Sequence, residues 1–222
     1  MGVEVKICGL TKAIDAELAD AAGAAYLGVI FAGGPRNRTP EEARDVLLAR
    51  RARKVGVFGT QSVEEIARIA ALVGLDVIQL HGLRGVEDGE SAEVVRAVRA
   101  ATGLEVWAVV RTADGRLTET DESLADAADA LVVDALVPGT LGGSGVAVPW
   151  LELGESLDAM HSGHRVVLAG GLTPENVREA IDYVSPHVVD VSSGVESAPG
   201  IKDHQRVRAF IAAVRASTES EG

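Results

Sequence analysis

One thiol and one carboxyl stand at the ends of short apolar runs, where acid–base chemistry could be done. Cys8, the only cysteine in the chain, follows Val3–Ile7, and Asp134 follows Ala130–Val133. A thiolate can take a proton from carbon and a carboxylic acid can give one to oxygen, so the two would form a base and acid pair. Each has a plainer reading. A lone strand cysteine is often an inert small hydrophobe, and an aspartate after a strand is often only a turn former. Strand alternation weighs against the first, because it puts Lys6 on the same face as Cys8, where a cation favours the thiolate.

Other apolar runs also end in residues suited to a ligand. Gln79 and His81 share one strand face and are expected, with Lys6, to contact a substrate, and Arg36 and Arg38 could neutralise an anionic group. Gly170-Gly171 and Ser192-Ser193-Gly194 close the last two runs. Glycines there would expose backbone N–H groups to phosphate near a helix N-terminus. The five histidines are scattered, and no metal-ligand spacing appears.

The elements that must position these residues alternate regularly. Strands are expected at Val3–Ile7, Tyr26–Phe31, Lys54–Phe58, Asp76–Leu80, Glu105–Val110, Ala130–Val133, Arg165–Ala169 and His187–Val191. Amphipathic stretches begin near Lys12, Pro40, Ser62, Gly89, Asp121, Pro149, Pro174 and Asp203. Thr39-Pro40-Glu41-Glu42 and Thr173-Pro174-Glu175 have the order a helix start prefers. Short even units, and no G-x-G-x-x-G after the first strand, favour a closed α/β barrel over an open sheet. The expectation is a single (β/α)8 TIM barrel over residues 1–222, with the reactive residues ringed on one mouth. The loop from Ala135 to Val148, with Gly142-Gly143-Ser144-Gly145, is long enough to close over a ligand.

Composition sets the remaining bounds. At 222 residues and 47% apolar, the chain can fill one such core. A formal charge of −12 argues against nucleic acid as a partner, and any anionic substrate must be recruited by local donors. No apolar run is long enough to span a bilayer, the start does not read as a secretory signal, and a single cysteine suits a reducing compartment. A cytoplasmic protein with a small phosphorylated substrate and no obligate protein partner is expected.

Together these residues resemble the phosphoribosylanthranilate isomerases of tryptophan biosynthesis. The resemblance runs through KICGLT (Lys6–Thr11), FAGGPR (Phe31–Arg36), VGVF (Val55–Phe58) and QLHG (Gln79–Gly82). It continues through VVDA and GGSG (Val132–Ala135, Gly142–Gly145), LAGGLTPENV (Leu168–Val177) and VDVSSGVESAPGIKD (Val189–Asp203). It implies a metal-free and cofactor-free Amadori rearrangement, with Cys8 as general base, Asp134 as general acid and Arg36 facing an anthranilate carboxylate. Gly34 stands where the family usually has serine, leaving the choice between Arg36 and Arg38 open, and Val148-Pro149-Trp150 replaces Phe-Asp-Trp. The histidine-pathway isomerases are less similar, because they use an aspartate where this chain has Cys8. A binding protein without turnover would need neither Cys8 nor Asp134.

Overall fold

The computed structural model describes residues 2–82, 90–135, 149–160 and 163–219. Eight parallel strands close on themselves in chain order. They are β1 (Glu4–Ile7), β2 (Tyr26–Ile30), β3 (Arg53–Phe58), β4 (Val77–Leu80), β5 (Glu105–Thr112), β6 (Ala130–Ala135), β7 (Val166–Ala169) and β8 (Val188–Val191). Closure is made by β8 on β1, with Lys6 opposite Asp190. The helices are α1 (Ala13–Ala22), α2 (Pro40–Leu47), α3 (Val63–Val73), α4 (Glu90–Thr102), α5 (Glu119–Ala127), α6 (Trp150–Ala159), α7 (Val177–Val184) and α8 (His204–Glu219). This is the expected TIM barrel.

Two packed regions hold it. Outward strand residues such as Ile7, Leu27, Phe58 and Leu168 meet helix residues such as Ala16, Ile66 and Phe210. Inside the barrel, Tyr26, Val55, Val77, Trp107, Val132 and Val188 form a second, smaller core. Trp107 meets Tyr26 edge to face, with ring centroids 5.0 Å apart. Arg53 and Arg165 lie over the Tyr26 ring and pair with Glu105, and Arg165 also pairs with Glu4. That end of the barrel is thus closed by side chains, leaving chemistry to the C-terminal mouth.

Local sequence explains most element ends. Thr39 and Glu42 form a reciprocal capping box at the start of α2, with Pro40 in the first turn. The second such signal misleads by three residues: α7 begins at Val177, not near Pro174. Asn176 Oδ1 accepts from the Thr173 amide at 2.7 Å, and its Nδ2 donates to the Gly171 carbonyl at 3.0 Å. Thr173–Asn176 is thereby folded into a turn before the helix can start.

Two further differences bear on function. Strands β5 and β6 outrun their apolar segments, so Arg111 and Asp134 are paired residues within the sheet, directly opposite each other. Asp134 is therefore not a turn former. After β8 comes a short 3-10 turn, Ser193–Val195, and then a hairpin the sequence did not announce. Its strands β9 (Glu196–Ala198) and β10 (Ile201–Lys202) are antiparallel and set Lys202 opposite Glu196.

Candidate active site

Alternation places the site. Tyr26, Val77, Trp107, Val132 and Val188 face the barrel interior, so residues two and four further on point the same way. That parity carries Lys6, Gly28, Gln79 and Asp190 inward. One step nearer the C-terminal mouth it presents Cys8, His81, Arg111, Asp134 and Ser192.

The lower layer is a closed ionic knot. Lys6 is fully buried, and its ammonium donates to Asp190 Oδ2 at 2.6 Å and Gln79 Oε1 at 2.9 Å. Two of the expected substrate contacts, Lys6 and Gln79, are thus bonded to each other beneath Cys8. Burial alone would push the Lys6 ammonium down, but Asp190 and the Cys8 sulfur outweigh it and its pKa is raised. Gly28 makes the close approach possible: a Cβ there would lie 2.9 Å from Cys8 Sγ and 3.3 Å from Lys6 Cε.

Cys8 is only 6% exposed. Burial pushes its thiol pKa up, more than the Lys6 charge beside it pulls it down, and Asp190 adds to the upward push. Lys6 does favour the thiolate, as the sequence suggested, but burial outweighs it and Asp190 opposes it. The resting group is a thiol, and its thiolate would be a strong base.

Across the mouth, Asp134 Oδ2 lies 3.3 Å from Arg111 Nε. The same guanidinium meets His81 Nε2 through its Nη2. Burial, and next the Arg111 charge, lower the His81 pKa, so the imidazole stays neutral and polar at the rim. Arg111 therefore brings His81 and Asp134 together at the rim.

Arg36 and Arg38 separate clearly. Arg38 pairs with Glu42 at 3.6 Å, one turn along the start of α2. Arg36 lies across the residue after Cys8: a Cβ on Gly9, which adopts φ +71°, would stand 2.6 Å from Arg36 Cδ. Its Nε and Nη2 donate to the two oxygens of Glu196 at 2.8 and 2.7 Å. Lys202, buried behind them, donates to Glu196 Oε1 at 2.8 Å and to the Ser192 carbonyl at 3.0 Å.

The glycine-bearing loops meet as well. Gly170 and Gly171 take φ +91° and +65°, backbone that L residues rarely adopt. A Cβ on Gly194 would overlap the Leu172 carbonyl, so the loops after β7 and β8 touch there. Arg206 donates to the Gly194 carbonyl at 2.9 Å and pairs with Glu175, tying both loops to α8. Ser192 Oγ and Asp190 Oδ1 are buried without a hydrogen-bond partner among the described residues. Residues 136–148, including the expected closing loop and its GGSG, lie outside the described residues.

Sequence reasoning missed Asp190, Glu196 and Lys202. Asp190 carried a usable signal, a charge inside the apolar run Val188–Val191 with the parity of Ser192. Glu196 and Lys202 carried none, because the hairpin that unites them is too short to show a period.

A family model described as N-(5'phosphoribosyl)anthranilate (PRA) isomerase matches residues 5–213. The chain belongs to this family. The N-(5'-phosphoribosyl)anthranilate isomerase of Roseiflexus sp. (strain RS-1) is 40% identical, over 98% of this chain and 100% of the relative. That of Paracoccus denitrificans (strain Pd 1222) is 42% identical, over 96% of this chain and 97% of the relative. The crystal structure of the phosphoribosyl anthranilate isomerase from Thermotoga maritima superposes with TM-score 0.81 at 34% identity, covering 96% of this chain and 99% of that one. A further isomerase structure, at TM-score 0.79 and 32% identity over 96% of this chain and 99% of that one, was solved in complex with reduced 1-(O-carboxyphenylamino)-1-deoxyribulose 5-phosphate. Among the described residues, no helix is long and apolar enough to cross a membrane.

Proposed function

We infer from family membership that the chain is an N-(5'-phosphoribosyl)anthranilate isomerase. It converts that substrate by an Amadori rearrangement to 1-(2-carboxyphenylamino)-1-deoxyribulose 5-phosphate, a step of L-tryptophan biosynthesis. Our assignment of roles rests on one observation above all: a thiol and a carboxyl face one mouth from β1 and β6, on different sides of the barrel.

Asp134 protonates the furanose ring oxygen, and the bond from that oxygen to C1 breaks. The anilino nitrogen lone pair becomes the second bond of a protonated imine, which acidifies the proton on C2. Cys8, which rests as a thiol, acts through its ionised fraction: that thiolate removes the proton, and the C2–H electron pair neutralises the imine as an enolamine. Tautomerisation to the ketone restores a proton to C1. Arg36 holds the anthranilate carboxylate, while His81 contacts the ligand from the neighbouring rim. The phosphate binds at the loop amides of Gly170-Gly171 and Ser192-Ser193-Gly194, whose backbone geometry supports a close approach. Lys6 and Gln79 act from beneath, setting the floor under Cys8 rather than reaching the ligand.

We also place the whole chain in one barrel domain, because its eight strands close in chain order, and the protein in the cytoplasm, which a chain with a single cysteine suits. The test of function is direct. Purified protein added to phosphoribosylanthranilate formed in situ should quench the anthranilate-type fluorescence, in proportion to enzyme. Fluorescence that decays no faster than in buffer would remove the assignment.

A further inference from the structure

The substrate has two anionic ends, and the chain carries a net charge of −12, so the carboxylate end needs a local cationic site. Arg36 alone, a long side chain over a glycine turn, would leave its guanidinium free to rotate. The structure supplies two groups that stop it. Glu196, with its side chain 4% exposed, takes the Nε–Nη2 edge through both oxygens. Lys202, with its side chain fully buried, fixes Glu196 in turn and is itself held by the Ser192 carbonyl. The Arg36 and Lys202 hydrogen bonds overcome burial and keep Glu196 ionised, below the usual carboxylate range.

We propose that Glu196, braced by Lys202, is a positioning residue that holds Arg36 by one edge so that its Nη1–Nη2 edge receives the substrate carboxylate. This rests on the isomerase reading and on Arg36 as the carboxylate holder. A guanidinium can serve two carboxylates at once through different edges. The charge count agrees. Two cations and one carboxylate leave the empty cluster one positive charge in excess, and a bound carboxylate brings it to neutrality. Removing Glu196 would add positive charge near the ligand, so a purely electrostatic role predicts tighter binding. A positioning role predicts weaker binding, confined to ligands that carry the carboxylate.

The experiment compares two ligands by calorimetry: the reduced carboxyphenylamino-deoxyribulose 5-phosphate and its phenylamino counterpart lacking the carboxyl group. Wild type should prefer the first. Glu196→Gln should reduce that preference by about tenfold, roughly the effect of misplacing one charge-assisted pair. Its affinity for the carboxyl-free ligand should stay within about twofold. Arg36→Ala should abolish the preference, and the double variant should be no worse than Arg36→Ala. Glu196→Asp, which keeps the charge, covers the case in which the glutamine variant does not fold, and should fall between wild type and Arg36→Ala. Equal losses for both ligands would mean a merely structural role and overturn the proposal, as would tighter binding or an unchanged preference. If Arg36→Ala itself keeps the preference, the failure lies in the placing of the carboxylate at Arg36.

Discussion

Replacing Lys6 by methionine keeps the length of a fully buried side chain but removes the ammonium that Asp190 and Gln79 share. Asp190 is then a carboxylate at 8% exposure facing a thioether, and Gln79 Oε1 loses its donor. Breaking a buried pair from one side typically costs about 3–5 kcal/mol, and an orphaned amide oxygen adds about 1–3 kcal/mol where the two do not overlap. Against a total stability on the order of 5–15 kcal/mol, the lower figure alone is a large share. At about 2–4 °C per kcal/mol for a chain of this size, the melting temperature should fall by roughly 6–20 °C. The assay is urea unfolding at pH 7 of wild type, Lys6→Met, Asp190→Asn and the double variant. The double variant should be more stable than the sum of the single losses by about 2 kcal/mol or more, because each single change strands its partner. The pH dependence has a definite sign. The Lys6 pKa is raised above 10.5 in the folded protein, so its contribution is complete below that value and fades only as pH climbs through the folded pKa. A Lys6→Met loss under about 1 kcal/mol, or strict additivity in the cycle, would refute the ionic floor under Cys8.

Other consequences are sharp enough to measure. Because the raised thiol pKa leaves Cys8 protonated at neutral pH, its alkylation by iodoacetamide should show a midpoint above the ordinary 9.0, against the unfolded chain as control; a midpoint below that value contradicts burial as the dominant influence. Gly194→Val should raise KM for substrate and weaken competition by inorganic phosphate, since even a Cβ overlaps the Leu172 carbonyl; unchanged phosphate inhibition would move the phosphate elsewhere. Arg38→Ala, which removes only the pair with Glu42, should alter kcat and KM by less than about threefold; a larger change would return the carboxylate to Arg38.

The barrel was legible because short β-branched strands and amphipathic helices alternate eight times along the chain. The same parity made Cys8, His81 and Asp134 readable as neighbours across a mouth. What escaped depended on contacts between distant segments. Lys6 looked like a cation free to act on Cys8, and only the pairing of β1 with β8 shows Asp190 occupying it. Arg36 looked like a ligand contact standing alone; its partner Glu196, and the Lys202 that braces Glu196, lie some 160 residues further on, in a hairpin of three and two residues. The start of α7 escaped for a different reason: a local Asn176 turn competed with a helix signal of comparable strength.

The central claim is that Cys8 is the base and Asp134 the acid of one proton-transfer cycle. Single-turnover fluorescence with phosphoribosylanthranilate tests it most directly, run on wild type, Cys8→Ala and Asp134→Asn, with affinity for the reduced product analogue measured alongside. Each variant should slow the chemical step by roughly 100- to 10,000-fold while binding the analogue within about threefold of wild type. A Cys8→Ala variant that turns over near the wild-type rate would contradict the account.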